Sequence, residues 1–367
     1  MTVRLLKFTL ATSLSLALTA FVEKTFSAVD QSLNDLFYQN PAELTLINQV
    51  QWVAGDLFVE PKLTFTGSAP GGVGSATSKV NNNLPYLLGS YRLSKRFVLG
   101  INITPTGYGH TEWPIDSIVS TVSTKTNVLY YRSGIQFGYQ LTDKLSVGAG
   151  LNLEIIHLEE VDFLIPNLGN QVNKASGYNY TLDIGLFYKI NPRHSITAAA
   201  YTPVNMVGSG TSTLNTTVSR SYHLGVTEAS VVYIGLQHVL SDRWSMVEKI
   251  YWSGWSIQKN LHFENTTTGS FIVPTNWIDV WSYQMATRYA TTERIALLGS
   301  VIYETNPNPT VTNSIGYPLA ASTFISVGLD INLVKKLSTQ LLYGYGMFTP
   351  KAKINNPVTA VLNLYSQ

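Results

Sequence analysis

Three cationic side chains of this chain could recognise an acidic ligand, because each lies in a segment where apolar and polar residues alternate. They are Lys62, Arg132 and Arg288. An arginine can hold a carboxylate through two parallel hydrogen bonds, so these cations are candidates for binding the head group of a carboxylic acid. The alternative is that each cation forms an ion pair within the chain, for which the candidate partners are Asp56, Glu60, Glu154, Asp183 and Asp330.

Two tryptophans in predicted loops, Trp113 and Trp255, could line a groove for a hydrophobic ligand. The alternative for both is to anchor the protein at a membrane interface, where tryptophan is enriched. Trp244 and Trp252 fit the anchoring role better, because they lie in predicted strands. We therefore keep Trp113 and Trp255 as candidate ligand-binding residues.

Sequence signatures of catalysis are missing from the chain. Its 6 histidines are scattered without metal-ligand spacing, it has 0 cysteines, and no Gly-x-Ser-x-Gly motif occurs. The glycine-rich stretch 67–75 opens no predicted helix, so it is read as an outer loop rather than a phosphate-binding loop. We expect no enzyme, no cofactor and no metal site. A lipase whose serine and histidine lie on separate strands is the remaining catalytic alternative.

Six short charged turns recur at nearly constant spacing and separate the segments that carry these side chains. Each turn joins two alternating segments, and one long polar loop lies between successive turns, which is the organisation of a transmembrane β-barrel. The turns are 94–96, 142–144, 191–193, 241–243, 291–294 and 334–336.

Composition favours the same fold class. Charged residues make up 13% of the chain, against about 25% in soluble domains. No internal stretch reaches the ~18 consecutive apolar residues of a membrane helix, and the 21 tyrosines suit the aromatic girdles of a barrel. The net charge of +2 and the lack of a basic run argue against a nucleic-acid partner.

Period-2 alternation predicts an all-β fold, a transmembrane antiparallel β-barrel of about 14 strands, over residues 51–367. With the N-terminus in the periplasm, every tight turn is periplasmic and every long loop is outside. The predicted strands are 51–66, 84–93, 97–104, 127–141, 145–157, 177–190, 194–203, 230–240, 244–254, 279–290, 294–303, 322–333, 337–348 and 356–365.

The polar face of each strand is predicted to face the lumen. An Arg or Lys that faces lipid near the membrane centre costs about 2–4 kcal/mol, so charges must point inward. A lumen of this kind could be a water-filled channel or a plugged barrel, and alternation alone leaves both open. The residues assigned to the lumen are Asp56, Glu60, Lys62, Arg132, Asn152, Glu154, Asp183, Arg288 and Asp330.

The N-terminus is predicted to direct export. Arg4 and Lys7 precede the apolar segment 8–22, which is the pattern of a secretory signal peptide, assigned here to residues 1–28. Neither Leu18-Thr19-Ala20 nor Phe26-Ser27-Ala28 fits the small-x-small rule, so the cleavage site stays open. The alternative is an N-terminal membrane anchor. Export of a β-barrel predicts that the protein resides in the bacterial outer membrane.

Residues 29–50 do not alternate and contain Asn40-Pro41-Ala42, within "SLNDLFYQNPAELTL". This segment resembles the N-terminal hatch of the FadL-type outer-membrane transporters of long-chain fatty acids, in which a Tyr-Asn-Pro-Ala sequence precedes the first strand. Four further stretches resemble the same family in the same order. They are "LPYLLGSYRLSKRFVLGINITPTGYGHTEWP", "YQLTDKLSVGAGLNLEII", "VYIGLQHVLSDRWSMVEKIYWSGWSIQKNL" and "RYATTERIALLGSVIYETNPNP".

The resemblance implies a fourteen-stranded barrel whose lumen is plugged by a short hatch, and passive uptake of long-chain fatty acids or similar hydrophobic compounds with sideways exit at a kinked strand. It assigns Asn40, Pro41 and Ala42 to the hatch turn that gates the lumen; alternatively they form an ordinary turn before a strand. The partners implied are a hydrophobic small molecule and outer-membrane lipid, with the protein a monomer. The family commonly has charged residues after the position of Tyr303, whereas this chain has "YPLAASTF".

Two other functions fit a barrel with these turns. A general porin for small polar solutes would carry the same turns and would conduct ions steadily. A structural or adhesive barrel would bind a partner through its long loops, for example 105–126. Fatty acids and aromatic hydrocarbons are not distinguished by the sequence.

Overall fold

The computed structural model describes residues 9–11, 15–20, 38–309, 312–334 and 337–348. Strands dominate these residues, and the helices are two short 3-10 turns, Pro41–Leu46 and Trp255–Ile257. Among the described residues, no helix is long and apolar enough to cross a membrane. In chain order the strands are β1 Thr9–Ala11, β2 Ser15–Ala20, β3 Val50–Ala69, β4 Gly72–Lys79, β5 Asn82–Arg92, β6 Phe97–Glu112, β7 Lys125–Gln140, β8 Leu145–Ile165, β9 Gly169–Asn191, β10 His194–Tyr201, β11 Val204–Leu214, β12 Thr217–Glu228, β13 Val231–Ser241, β14 Trp244–Ser253, β15 Asn260–Thr266, β16 Gly269–Pro274, β17 Val280–Ala290, β18 Ile295–Glu304, β19 Ser322–Val334 and β20 Leu337–Phe348.

Antiparallel pairing joins fourteen of these strands in a ring. The order is β3, β5, β6, β7, β8, β9, β10, β13, β14, β17, β18, β19, β20 and β2, and β2 pairs again with β3. Because every strand of a closed ring has two neighbours, its backbone hydrogen bonds are satisfied inside the membrane. The predicted all-β barrel of about 14 strands is confirmed.

Thirteen of the predicted strands, from 51–66 to 337–348, coincide with strands of this ring. The fourteenth, 356–365, lies outside the described residues. The position between β20 and β3 is taken by β2, whose residues belong to the predicted signal peptide 1–28. Removal of residues 1–28 on export stays a prediction.

The outer ends of the strands continue well beyond the predicted boundaries. β8 has 21 residues and β9 has 23, whereas about 9–11 residues suffice to cross a bilayer. Residues 204–229 and 255–278, which lie between predicted strands and were therefore expected to be outer loops, form the hairpins β11–β12 and β15–β16. Part of the predicted loop 105–126 is the outer half of β6. Pairing with neighbouring long strands satisfies the backbone of these segments outside the membrane.

The two faces of β7 and β9 are arranged as predicted. Tyr180 and Ile184 are 61% and 62% exposed on the outward face. Arg132, Gln136 and Asp183 are buried on the inward face. Alternation therefore separates a lipid-facing surface from a polar lumen on this side of the barrel.

On β3 the predicted facing is wrong. Leu57, Leu63 and Phe65 are among the buried residues of this strand, while Lys62 is exposed on the opposite, outward face. Glu60 shares that outward face and pairs with Lys79 at 3.0 Å. The reason is that outer segments fill the lumen beside β3 with apolar side chains, so the inward face of this strand must be apolar.

Candidate functional site

The hatch residue Asn40 ties the segment before β3 to the inner wall of the barrel. Its Oδ1 accepts a hydrogen bond from the Ala42 backbone N–H at 2.9 Å, which caps the 3-10 helix. Its Nδ2 donates to three acceptors on β9 and β10, so a side chain that is 5% exposed has its polar atoms paired. The acceptors are Leu186 O at 2.9 Å, Thr197 Oγ1 at 2.8 Å and Ala198 O at 3.1 Å.

A row of three glycines forms the surface on which the hatch rests, and we call it the hatch seat. Gly138, Gly148 and Gly185 are direct cross-strand partners on β7, β8 and β9. A Cβ on Gly148 would lie 2.4 Å from the Ala42 nitrogen, and one on Gly185 would lie 1.8 Å from Asn40 Oδ1. Only glycine allows the backbone of the hatch to approach the wall this closely.

Further hydrogen bonds fix the hatch at β8, β13 and β5. Thr45 Oγ1 donates to Ser146 Oγ at 2.7 Å on β8. Gln237 Nε2 on β13 donates to Glu43 at 3.2 Å. Arg92 at the end of β5 donates to the carbonyl of Ile47 at 2.9 Å through Nε. The hatch is therefore held on several sides of the lumen rather than tethered at one point.

Arg132 lies in the lumen as predicted, but it is engaged within the chain. Its Nε donates to Glu154 Oε1, and both side chains are buried. The Arg132 guanidinium also lies 4.6 Å from the centre of the Tyr201 ring. Glu154 accepts a further hydrogen bond from Thr181 at 2.9 Å. The structure therefore contains the alternative considered for Arg132, an ion pair with Glu154.

The three candidate cations do not converge on one site. Arg288 pairs with Asp330 at 2.9 Å and lines a cavity of about 410 Å³ at the end of the barrel where the tight turns lie. Arg92 and His194 also line this cavity, below the hatch. Arg132 lies deeper in the lumen, and Lys62 faces outward. A shared carboxylate site built from these three side chains is therefore not formed.

The two candidate tryptophans lie in different parts of the outer lumen. Trp113 is 4% exposed and packs with Phe65, Val119 and Ile315 beneath the outer segments. Trp255 is half-buried and meets Trp277 edge to face, with ring centres 5.2 Å apart. Both tryptophans thus contribute to apolar interior surface.

Sequence reasoning missed a set of residues that we call the outer chamber: Glu228, Trp277, Glu304 and Tyr317. The Trp277 and Tyr317 rings are stacked with centres 6.4 Å apart. Burial and the charge of Glu154 raise the pKa of Glu228 above its usual range, against the opposing effect of Arg132. Both glutamates escaped notice because they were assigned to loops or to the edge of a loop, where no facing was predicted.

The wall of the barrel is incomplete between β5 and β6. The two strands pair from Arg92↔Val98 to Leu87↔Ile103, and over the described residues 82–86 and 104–112 no pairing joins them. β5 stays paired with β3 and β6 with β7, where the register shifts between Pro105 and Gly107. Proline cannot donate a ladder hydrogen bond, which suits it to such a break.

Side chains close this gap in place of backbone hydrogen bonds. Asn82 Nδ2 lies 2.7 Å from the Tyr108 hydroxyl and 2.8 Å from His110 Nδ1. Tyr108 and Leu129 also pack against a buried apolar cluster that includes Leu84. The gap is therefore filled by apolar groups and held by side-chain contacts alone.

Comparison with protein families gives one match that spans most of the chain. The model of the outer membrane protein transport protein family (OMPP1/FadL/TodX) matches residues 19–365. No curated protein is similar enough in sequence to match the chain.

Solved structures share the fold at low sequence identity. A FadL homologue of Pseudomonas aeruginosa has a TM-score of 0.74 at 13% identity, over 90% of this chain and 96% of that one. The Pseudomonas putida toluene transporter TodX has a TM-score of 0.64 at 16% identity, over 90% and 95%. The CymD monoaromatic hydrocarbon channel has a TM-score of 0.60 at 15% identity, over 90% and 95%.

Proposed function

Because the chain belongs to the OMPP1/FadL/TodX family of outer membrane transport proteins, we propose that it takes up hydrophobic small molecules by passive diffusion. The molecule enters between the outer hairpins, moves into the lumen above the hatch and leaves sideways into the membrane between β5 and β6. The hatch keeps water and ions from passing to the periplasm. The protein acts as a monomer surrounded by outer-membrane lipid.

The gap between β5 and β6 is the observation that carries this proposal. Each of the two strands keeps its other neighbour, so widening the gap breaks no backbone ladder. It costs the side-chain contacts of Asn82 with Tyr108 and His110. An apolar molecule that leaves by this route moves from an apolar interior into lipid without crossing water, which the hydrophobic effect favours.

Long-chain fatty acids are the narrower version of this proposal, and their carboxylate would need a cation. Arg132 and Arg288 are paired with Glu154 and Asp330, and Lys62 faces outward. The described residues give more support to recognition of an apolar body than of an acidic head group. Trp113 and Trp255 remain candidates for contact with that body.

Bridging the gap chemically tests the sideways exit. The chain has 0 cysteines, so a pair introduced as Asn82→Cys and Tyr108→Cys can be joined without background labelling by a short bis-methanethiosulfonate, which links the two thiols through reducible disulfides. The matched control is Leu87→Cys with Ile103→Cys, where the strands are already paired. Uptake of toluene by cells that lack other transporters of this kind is measured before and after bridging.

We expect bridging at 82 and 108 to reduce uptake about tenfold, with recovery on reduction, and bridging at 87 and 103 to leave it unchanged. Unchanged uptake in the bridged 82/108 variant would refute sideways exit. The alternative function, a general porin, predicts a large steady conductance from purified protein in a planar bilayer. Such a conductance would refute the hatch-closed transporter.

A further inference from the structure

Two carboxyl groups of the outer chamber face the lumen without a partner. Glu228 ends β12 and Glu304 ends β18, and the residues two positions earlier, Val226 and Ile302, are buried on the inward face. Period-2 alternation therefore points both glutamates inward. Each is half-buried, and neither has a hydrogen-bond or ion-pair partner among the described residues.

Hydrogen bonds connect the segment around Trp277 to both chain segments that carry the glutamates. The Thr227 N–H, adjacent to Glu228, donates to Gln258 Oε1 at 2.6 Å. The Trp277 N–H donates to the carbonyl of Gln258 at 3.2 Å. On the other side, the Ile278 N–H donates to the Pro307 carbonyl at 2.8 Å, three residues after Glu304. Trp277 thus lies between the two ends that carry the glutamates.

Tyr317 completes the apolar lining beside Trp277. The two rings are stacked with centres 6.4 Å apart. Burial raises the pKa of the Tyr317 phenol to about 12, and the charges of Glu304 and Glu228 add to the rise. The stacked rings therefore belong to the same chamber as the two strand ends that carry the glutamates.

Trp277 brings an unpaired donor to the same chamber. Its side chain is 9% exposed and its indole Nε1–H has no hydrogen-bond partner. Buried polar side-chain atoms in folded proteins almost always have one. Glu159, whose charge also acts on Tyr317, has a second unpaired atom: Oε1 accepts from the Tyr130 hydroxyl at 3.0 Å, while Oε2 is unpaired. The chamber thus combines apolar rings with unpaired acceptors and an unpaired donor.

A hydroxyl group is the ligand group that meets these needs together. It can donate to a glutamate and accept from an indole N–H at the same time. An ammonium group can only donate and an ionised carboxylate can only accept, so neither can donate to a glutamate and accept from the indole N–H at the same time. We propose that the outer chamber binds hydrophobic molecules through a hydroxyl group, which donates to Glu228 or Glu304 and accepts from Trp277 Nε1. This inference rests on the proposed uptake of hydrophobic compounds and names their class.

Four probes of nearly equal size test the proposal. They are p-cresol with a hydroxyl, toluene with no polar group, 4-methylbenzylamine as a cation and p-toluate as an anion. Binding to the purified full chain is measured by calorimetry, and uptake by the cellular assay above. The variants are Trp277→Phe, which keeps an aromatic ring and removes the N–H, and the double variant Glu228→Gln with Glu304→Gln. Glu264→Gln on the exposed face of β15 is the matched control.

We expect the unmodified protein to bind p-cresol about tenfold tighter than toluene, the amine or p-toluate. Trp277→Phe should remove most of that preference, the double variant should strengthen binding of p-toluate, and Glu264→Gln should change neither. Equal binding of p-cresol and toluene, tightest binding of the amine or of p-toluate, or an unchanged preference in Trp277→Phe would overturn the proposal. If cells that carry the unmodified protein took up no more toluene than cells that lack it, the proposed function itself would be refuted. The two failures are therefore distinguishable.

Discussion

The hatch seat and the outer chamber lie at opposite ends of one lumen. Polar groups are paired at the seat and unpaired in the chamber. At the seat, Asn40 pairs its amide with four partners, and three glycines remove every side chain that would hold the hatch off the wall. In the chamber, Glu228, Glu304 and the indole Nε1–H of Trp277 have no hydrogen-bond partner among the described residues. A plug needs one stable position, whereas a binding site keeps groups free for a molecule that comes and goes. Four variants or conditions test this contrast, from the largest expected effect to the smallest.

Gly185→Ala should break the seat. The added Cβ would lie 1.8 Å from Asn40 Oδ1 in a strand that cannot move aside, so the hatch must leave the wall. We expect long-lived openings in planar bilayers and a lowered thermal midpoint. Gly225→Ala is the matched control, because its Cβ would meet nothing within 4 Å. Equal conductance of the two variants would show that the glycine row does not position the hatch.

Arg132→Met should damage the layer between seat and chamber. Removing one partner of a buried ion pair leaves Glu154 uncompensated, and the expected loss in the free energy of unfolding is about 3–5 kcal/mol. Adding Glu154→Gln to the same chain should recover a large part of it. Denaturation in detergent measures both losses, and a double variant no more stable than Arg132→Met would contradict a role for the pair.

Asn40→Ala should loosen the hatch without displacing it. The change leaves acceptors on β9 and β10 unpaired and removes the helix cap, at a cost of about 2 kcal/mol. We expect brief, flickering conductance, smaller than that of Gly185→Ala, and slower uptake. A closed, silent channel with normal uptake would mean that the glycine row alone holds the hatch.

Ligand binding should depend on pH because of a carboxyl group in the outer chamber, and not because of any group at the hatch seat. Burial keeps Glu228 protonated to higher pH than a free glutamate, so the carboxyl is neutral at low pH and becomes charged as pH rises through its raised pKa. Discrimination against p-toluate should therefore increase with pH, by about threefold. Calorimetry at several pH values measures it, and Glu228→Gln should flatten the profile. An opposite trend would contradict the placement of this charge.

The strands and the outward surface could be predicted from the sequence. One face of each membrane strand must be apolar, so the facing of every second residue follows from that of its neighbours. Tyr180 and Ile184 had to face lipid once Asp183 between them had to face the lumen. The same reasoning gave the wrong facing for β3. It assumes that the lumen contains water, so that polar side chains point inward. Beside β3 the interior is filled by Trp113, Ile315 and their neighbours, so Leu63 and Phe65 face inward and Lys62 outward.

The candidate site was only partly predictable. Asn40, Pro41 and Ala42 were identified from the family resemblance, but what they rest on depends on strand register. Gly148 and Gly185 become neighbours only when β8 pairs with β9 in one particular register. Pairing β7 with β8 across the tight turn 142–144 would have aligned Gly138 with Gly148. A long predicted loop joins β8 to β9, so the position of Gly185 could not be read in the same way. Glu228 could not have been placed in this way, because the hairpin that carries it was predicted as a loop.

The length of β9 has a consequence for how a molecule reaches the entrance. Its 23 residues extend ~76 Å at ~3.3 Å per residue, and the membrane requires fewer than half of them. The entrance therefore stands in water, well above the lipid headgroups. The raised rim therefore presents the entrance to molecules that are still dissolved in water, and a hydrophobic molecule can reach the protein without first partitioning into the outer leaflet.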